Sequence, residues 1–348
     1  RGHEVHAIAP DFNEEIIAEL SELGVSCHDC YFERAEINIF GDIRASYHLY
    51  RLLKEIRPDR LFCYFIKPVI YGSIIGFLAQ VEHRVAMIEG LGSVFSDVDK
   101  TEPRKKSTRV FLVSMMYKVA LAASHKVIFL NQDDLNYFDQ SSIMHRSRAS
   151  MLGGIGVDLM EWRNLTGPVK EPITFVMAAR LLREKGVVFF ADAARLVKAK
   201  NPEVRFFLLG SLDNNPTSIS LEEVNGWVEE GILEWPGHVS VIDWLTRSSV
   251  FVLPSFYREG IPRSSQEALA MSLPIITTDS VGCRETVMEG VNGFKVPVKN
   301  IDALVEKMLI FVNNPDLIEK MGKRSRDLAE LKFSEREKIV AQLDLLRC

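Results

Sequence analysis

Apolar runs alternate with amphipathic stretches along almost the whole chain. In the first half, short and nearly continuous apolar runs predict β-strands, and the segments between them repeat apolar residues at helical spacing. The strands are predicted at residues 4–10, 26–32, 60–65, 84–89 and 126–131. The helices are predicted at residues 14–23, 42–56, 69–79 and 107–123. Strands of this kind with helices between them predict a parallel sheet covered on both faces.

The second half of the chain restarts the same alternation. A glycine cluster at residues 152–156, followed by the proline-containing stretch 164–172, is the most linker-like part of the sequence and predicts a domain boundary near it. The later strands are predicted at residues 173–178, 205–209, 232–235, 250–254, 275–277 and 293–296. The predicted fold class is therefore α/β, with Rossmann-like domains at 1–160 and 161–333 and a final helix at 334–348.

Composition limits the classes of function. The chain has 348 residues, of which 47% are hydrophobic and 26% charged, as in ordinary globular domains. Its net charge of −5 argues against nucleic acid as a partner. The five cysteines fit no disulfide framework, which indicates a reducing cytoplasm. Cys27 and Cys30 have the spacing of a redox pair or half a zinc site, but they fall in a predicted strand and lack a second pair.

The most informative stretch is 251–270, which is predicted to form a strand, a loop and a helix. Small and hydroxylated residues at a helix start favour an anion, because the first N–H groups lack partners and the helix dipole is positive there. Glu259 and Glu267 bracket this site, so one carboxylate could meet sugar hydroxyls and the other a ribose. The alternative is that both are solvated charges. The other predicted binding residues of this stretch are Gly260, Ile261, Pro262, Arg263, Ser264 and Ser265.

Two glutamates separated by seven residues in this setting resemble the signature of the retaining, nucleotide-sugar-dependent glycosyltransferases of family 4. These enzymes have the GT-B fold, with two Rossmann-like domains facing a cleft. A basic loop after strand 173–178 carries Arg180 and Lys185, and in the family the corresponding residues hold the nucleotide diphosphate. An ordinary solvated loop is the alternative for these two cations.

Further motifs resemble a bacterial subgroup that transfers sugars, such as N-acetylgalactosamine, onto undecaprenyl-diphosphate-linked glycans. On the predicted acceptor side, the matching residues are Lys67 in KPVIYG and Glu89, Gly90 and Gly92 in EGLG. On the donor side, they are Asp213 and Asn215, with His238 and Val239 where the family seats the nucleotide base. Many family members have a histidine where this chain has Glu89, so no catalytic histidine is expected.

The resemblance implies retaining transfer of a hexose or N-acetylhexosamine from a UDP-sugar to a polyprenyl-diphosphate-linked glycan. Catalysis would rest on Arg180, Lys185 and Glu259, without a metal or a cofactor, since the UDP-sugar is a substrate. Asp97 and Asp99 have the spacing of a metal motif but lie outside the nucleotide half. A sugar-nucleotide epimerase and a non-catalytic nucleotide-sugar-binding subunit remain alternatives. By analogy with the family, a first strand and helix are expected before Arg1.

Residues 104–123 combine a basic opening with a long apolar helix. One interpretation is an interfacial helix on an anionic bilayer, which needs basic residues beside an apolar face. The other is a buried helix with a solvated amino end. The first predicts a protein on the cytoplasmic, inner face of the plasma membrane. The helix at 334–348 is expected to return to the first domain, as in GT-B proteins.

Overall fold

The computed structural model describes residues 2–32, 39–92, 95, 103–213 and 215–347, without the side chains of 39 and 103–107. The chain divides into two compact units. The first comprises Arg1–Ile88, Leu112–Val127 and Ser142–Arg148, and the second Glu89–Phe111, Ile128–Ser141 and Ala149–Cys348. These limits do not coincide with residues 160 and 333, so the domain boundaries given above stay predictions.

The strands up to residue 151 form two sheets in the described residues. One is the parallel pair of β1 and β2, and the other has the order β3-β4-β5-β6. Their bounds are β1 Val5–Ala9, β2 Val25–Asp29, β3 Arg60–Tyr64, β4 His83–Ile88, β5 Lys126–Phe129 and β6 Ala149–Met151. The helices are α1 Glu14–Glu22, α2 Ile39–Ile56, α3 Ser73–Leu78, α4 Pro103–Ala122 and α5 Gln132–Gln140.

The rest of the chain is built on a six-stranded parallel sheet. Its strands are β7 Thr174–Ala178, β8 Arg205–Leu209, β9 Glu234–Gly237, β10 Val250–Leu253, β11 Ile275–Thr278 and β12 Gly293–Val296. The helices are α6 Val187–Lys198, α7 Leu221–Glu229, α8 Val241–Thr246, α9 Arg263–Ala270, α10 Ile301–Asn313, α11 Asp316–Lys332 and α12 Glu335–Arg347. Every residue of β7 and β10 is buried, because helices cover both faces of the sheet.

The order of this sheet determines where a ligand can bind. The strands run β12-β11-β10-β7-β8-β9, so the chain proceeds from β7 through β8 to β9 and then returns to the other side of β7 with β10. Strand order therefore reverses between β7 and β10. In open parallel sheets, ligands bind beyond the carboxyl ends of the strands at such a reversal. A ligand site is therefore expected at the loops after β7 and β10.

The α/β class and the parallel sheets are confirmed, and the differences are local. The segment predicted as helix 69–79 is a π-helical turn, Pro68–Gly72, followed by α3. The strand predicted at 232–235 lies at Glu234–Gly237. The return of helix 334–348 to the first domain stays a prediction. Among the described residues, no helix is long and apolar enough to cross a membrane.

Candidate active site

A buried ion pair joins the loops that follow β7 and β10. Lys185 Nζ lies 2.6 Å from Glu259 Oε1, and the two side chains are only 14% and 9% exposed. Ser255 Oγ donates to the same carboxylate oxygen at 3.0 Å. The ammonium also lies 5.1 Å from the centre of the Tyr257 ring. The residues predicted to meet the diphosphate and the donor sugar are therefore in direct contact at the switch point of the sheet.

Backbone contacts explain why the two loops meet. Gly186 has a φ of 84°, and a Cβ there would lie 2.2 Å from the Pro254 carbonyl oxygen, so only glycine fits. The carbonyl of Glu184 accepts hydrogen bonds from the Phe256 and Tyr257 amides at 2.9 and 3.1 Å. These backbone contacts thus hold Lys185 against the loop that carries Glu259.

The amino end of α9 has the features of an anion site. Ser265 is fully buried, and its Oγ has no hydrogen-bond partner among the described residues. Gly260, Ile261 and Pro262 are buried at the helix start, and Ser264 is half-buried. The unpaired N–H groups of this first turn, together with a hydroxyl that still needs a partner, suit a phosphate oxygen.

Glu267 lies one turn further along α9. Its Oε1 lies 3.0 Å from Arg263 Nε, and the arginine is half-exposed while the carboxylate is largely buried. Burial raises the pKa of Glu267, and the Arg263 guanidinium opposes that rise. The carboxylate is thus placed to accept a further hydrogen bond, such as one from a ribose hydroxyl.

Arg180 has a partner of its own. Its Nη1 lies 3.1 Å from Asp213 Oδ2, and the Asp213 Oδ1 accepts the Asn215 amide at 3.0 Å. Arg183, by contrast, pairs with Glu223 at 2.7 Å. Arg180, Asp213 and Asn215, which were predicted to lie on the sugar-donor side, therefore form one polar cluster at the exits of β7 and β8. Arg183 does not belong to this cluster, because its side chain pairs with Glu223.

His238 and Val239, the residues predicted near the nucleotide base, follow β9. His238 is exposed and Val239 is half-buried. The neighbouring Trp235 donates its indole N–H to the Gly210 carbonyl at 2.9 Å, which ties the end of β9 to the end of β8. This places His238 on the Asp213 side of the switch point.

The segment Glu89–Gly92 packs on the Glu259 loop. A Cβ at Gly90 would lie 2.5 Å from the Gly260 nitrogen, and a Cβ at Gly260 would lie 2.6 Å from the Glu89 oxygen. The described contacts are between two protein backbones, and Gly92 donates to the Arg258 carbonyl at 3.3 Å.

Glu89 itself is half-buried beside this junction. Burial raises the pKa of its carboxyl from 4.5 to about 7, because a desolvated carboxylate is costly. The Glu89 carboxyl therefore changes charge near neutral pH. Gly282, from the loop after β11, completes the packing, since a Cβ there would lie 2.4 Å from the Gly260 oxygen.

Sequence reasoning missed a set of residues that hold the Glu259 loop from the start of α5. Asn131 Nδ2 donates to the carbonyls of Glu259 and Gly260 at 3.1 and 2.8 Å. Arg258 Nε lies 2.8 Å from Oδ1 of the fully buried Asp134. Asn131 also caps α5, accepting from the Asp134 amide at 2.8 Å. An N-cap depends only on neighbouring residues, but no neighbouring residue indicates that Asn131 contacts residues more than a hundred positions later in the chain.

Lys67 lies in the first unit and is held by a buried carboxylate. Its Nζ is 2.7 and 3.0 Å from the two oxygens of Asp42, to which the Tyr71 hydroxyl also donates at 2.9 Å. Burial and then Asp42 raise the pKa of Tyr71 to about 12. Lys67, Asp42 and Tyr71 therefore form one polar cluster in the first unit.

Among the described residues, no group of three or more His, Cys, Asp or Glu side chains could hold a metal ion. Asp97 and Asp99 lie outside the described residues.

Comparison with solved structures defines the fold. The Anabaena protein Alr3699/HepE in complex with UDP matches 98% of this chain and 100% of its own, with a TM-score of 0.74 at 14% identity. A Rickettsia africae glycosyltransferase matches 99% of this chain and 90% of its own, with a TM-score of 0.74 at 16% identity. The chain has the GT-B fold.

Sequence comparisons give the family. Residues 172–314, which contain the Lys185–Glu259 pair, match the model "Glycosyl transferases group 1". An N,N'-diacetylbacillosaminyl-diphospho-undecaprenol alpha-1,3-N-acetylgalactosaminyltransferase from Campylobacter jejuni is 29% identical, over 98% of this chain and 90% of the relative. A UDP-Gal:alpha-D-GlcNAc-diphosphoundecaprenol alpha-1,3-galactosyltransferase from Escherichia coli is 26% identical, over 84% of this chain and 76% of the relative. Residues 172–314 are thus similar to group 1 glycosyltransferases, and the two relatives are glycosyltransferases too, as the motifs indicate.

Proposed function

We propose that this chain transfers a hexose or N-acetylhexosamine from a UDP-sugar to a polyprenyl-diphosphate-linked glycan, with retention at the anomeric carbon. The observation that carries the proposal is the Lys185–Glu259 pair at the switch point, beside the α9 start. The similar Campylobacter and Escherichia enzymes are named for undecaprenyl-diphosphate-linked acceptors. The Escherichia relative is named for UDP-galactose, and the Anabaena structure holds UDP.

Donor binding would rearrange the ion pair. Lys185 now neutralises Glu259, so an entering diphosphate competes for the ammonium while the sugar hydroxyls supply new donors to the carboxylate. Arg180 would turn from Asp213 to the diphosphate in the same way. The two cations and the α9 start would then stabilise the charge that grows on the departing diphosphate, which is usually the largest catalytic contribution. Glu259 holds the sugar in this scheme, and Glu267 the ribose.

The acceptor would enter beside Glu89, Gly90 and Gly92, with Lys67 as a further contact for its phosphates. Support for the first three comes from their packing on the loop that carries Glu259, the residue proposed to hold the donor sugar. The half-buried carboxyl of Glu89 can exchange a hydrogen bond with an acceptor hydroxyl in either protonation state. The proposal does not require that Glu89 take the proton of that hydroxyl.

Contact with the inner face of the plasma membrane is proposed through residues 104–123. In α4, the large apolar side chains that are exposed are Phe111, Leu112, Met115 and Val119, at 66%, 51%, 43% and 55%. Their spacing puts them on one helix face, as an interfacial helix requires. The side chains of Arg104, Lys105 and Lys106 lie outside the described residues, whereas Arg109 is exposed.

Thermal-shift measurements with UDP-, GDP- and ADP-sugars test the donor assignment. A ligand that binds the folded state adds stability as RT ln(1 + [L]/Kd), so the preferred donor should give the largest shift. We expect UDP-sugars to do so, and Lys185→Ala to reduce that shift. Transfer to a lipid-linked acceptor tests the reaction. Incorporation of a solvent proton without any acceptor would instead identify an epimerase, and tight UDP binding without turnover a binding subunit.

A further inference from the structure

One face of the helix α2 packs against the rest of the first unit. Leu49 and Leu53 are at most 5% exposed and pack with Val81 in a core cluster of the first unit. Asp42, on the same side, is buried by its contacts with Lys67 and Tyr71. The orientation of the helix in its unit is therefore fixed by packing.

The outward face of α2 is unusual, because it is apolar where a surface helix is normally polar. Phe40, Ile43 and Tyr47 are 87%, 61% and 65% exposed. They occur at positions i, i+3 and i+7, so their side chains form one stripe along the helix. Three large apolar side chains in one exposed stripe usually mark an interaction surface.

Basic residues flank this stripe. Arg44, His48, Arg51 and Lys54 are all exposed and follow one another at helical spacing beside it. His48 lies 3.2 Å from the Asp29 carbonyl, and Lys54 lies 3.5 Å from Gln80. Within residues 40–55, all of which the structure describes, the exposed carboxylate is Glu55. The face therefore has an excess of positive charge, which favours an anionic partner.

We propose that the outward face of α2 rests on an anionic lipid bilayer. An apolar stripe with basic residues beside it is the composition of helices that lie in the membrane interface, with the apolar side chains in the acyl boundary and the cations at the head groups. The proposal deepens the proposed function, since it adds a second docking helix, distinct in sequence from α4. A lipid-linked acceptor keeps its reactive sugar at such a surface.

The test uses vesicle co-sedimentation of the full chain at two lipid compositions, anionic and zwitterionic. The apolar variant is Phe40→Ser/Ile43→Ser/Tyr47→Ser. Its matched control is Met160→Ser/Leu165→Ser/Leu331→Ser, because those three side chains are 77%, 79% and 74% exposed in the second unit. We expect the apolar variant to lose at least about tenfold in affinity for anionic vesicles, since three interfacial contacts disappear. The control should bind like the wild type.

A charge variant, Arg44→Gln/Arg51→Gln, gives a second readout that leaves the apolar stripe intact. One cation near an anionic leaflet contributes about fivefold, so the pair should cost about 30-fold on anionic vesicles and little on zwitterionic ones. Thermal midpoints and transfer to a water-soluble acceptor should stay at wild-type levels for all variants.

The outcomes separate the two proposals. If the wild type binds anionic vesicles and both α2 variants bind equally well, α2 does not contact the bilayer, while the contact through α4 stands. If the wild type does not bind vesicles at all, membrane docking by either helix is wrong. If the apolar variant loses transfer to the soluble acceptor but not vesicle binding, the face contacts a protein or the glycan and the lipid assignment is overturned.

Discussion

Replacing Glu89 with glutamine should remove a loss of stability that the wild type shows as the pH rises. The carboxyl is half-buried at the junction of the Glu89–Gly92 segment with the Glu259 loop, and burial raises its pKa from 4.5 to about 7. The folded state therefore holds this proton more tightly than the unfolded state does. The stability associated with the protonated carboxyl is fully present below pH 4.5, falls as the pH rises through 7, and is lost above it.

The size of this effect follows from the shift. One pKa unit corresponds to 1.36 kcal/mol, so the ionised carboxyl costs about 3 kcal/mol above pH 7. Part of this loss is already present at pH 5, so the free energy of unfolding should fall by about 2.5 kcal/mol between pH 5 and pH 8. With about 2.1 cal/mol/K per residue, that corresponds to roughly 3 °C if all 348 residues unfold together. The glutamine variant has the same shape but no charge to desolvate.

The assay compares thermal midpoints of wild type and Glu89→Gln at pH 5 and pH 8. We expect the midpoint of the variant minus that of the wild type to be roughly 3 °C larger at pH 8 than at pH 5, because only the wild type is destabilised by ionisation of residue 89. Glu55→Gln, at an exposed position, is the control and should show no such gain. An equal midpoint difference at both pH values for Glu89→Gln would refute the claim that this carboxyl is desolvated.

Substitutions at four further positions probe the donor site and the loop that carries Glu259. Lys185→Ala should lower transfer at least about tenfold and also lower stability, because it removes a charge-assisted contact and leaves Glu259 buried without its cation; wild-type kinetics in the folded variant would remove Lys185 from the site. Glu267→Ala should weaken binding of UDP itself, whereas Glu259→Ala should mainly impair use of the intact sugar donor; calorimetry showing the opposite order would reverse the two roles. Asp134→Ala breaks the buried pair with Arg258, which should cost about 3–5 kcal/mol of stability. Turnover should fall more than UDP affinity, and Asp134→Asn should restore part of it; an equal loss of both would contradict a role in positioning the Glu259 loop.

The sequence was sufficient for the features that depend on neighbouring residues. Apolar runs predicted β7 and β10, and small residues predicted an open helix start at Ser264 and Ser265, because strand periodicity and helix capping are local properties. Predicting the Lys185–Glu259 contact also requires the order of the strands in the sheet. Both residues follow strands of one sheet, but only the strand order shows that β7 and β10 are neighbours.

Partners that are distant in sequence could not be predicted. The sequence predicted a strand through Asn131 and no helix after it, and the contacts of Asn131 and Asp134 with residues 258–260 arise only when the chain folds. Gly90 was identified only by its motif, and a glycine does not indicate whether a ligand or another part of the protein comes close. Similarly, Lys67 was recognised as a cation at a strand exit, while its pairing with Asp42 depends on how α2 packs.

The central claim is that the buried pair at the switch point belongs to a donor site for retaining transfer from a UDP-sugar. The most direct measurement incubates the protein with UDP-hexoses and UDP-N-acetylhexosamines and an undecaprenyl-diphosphate-linked glycan, and determines the anomeric configuration of the product by NMR. The account predicts one new glycosidic bond with the configuration of the donor, formed by the wild type and reduced at least about tenfold in Lys185→Ala. A product of inverted configuration, or no product from any UDP-sugar although the protein binds UDP, would contradict it.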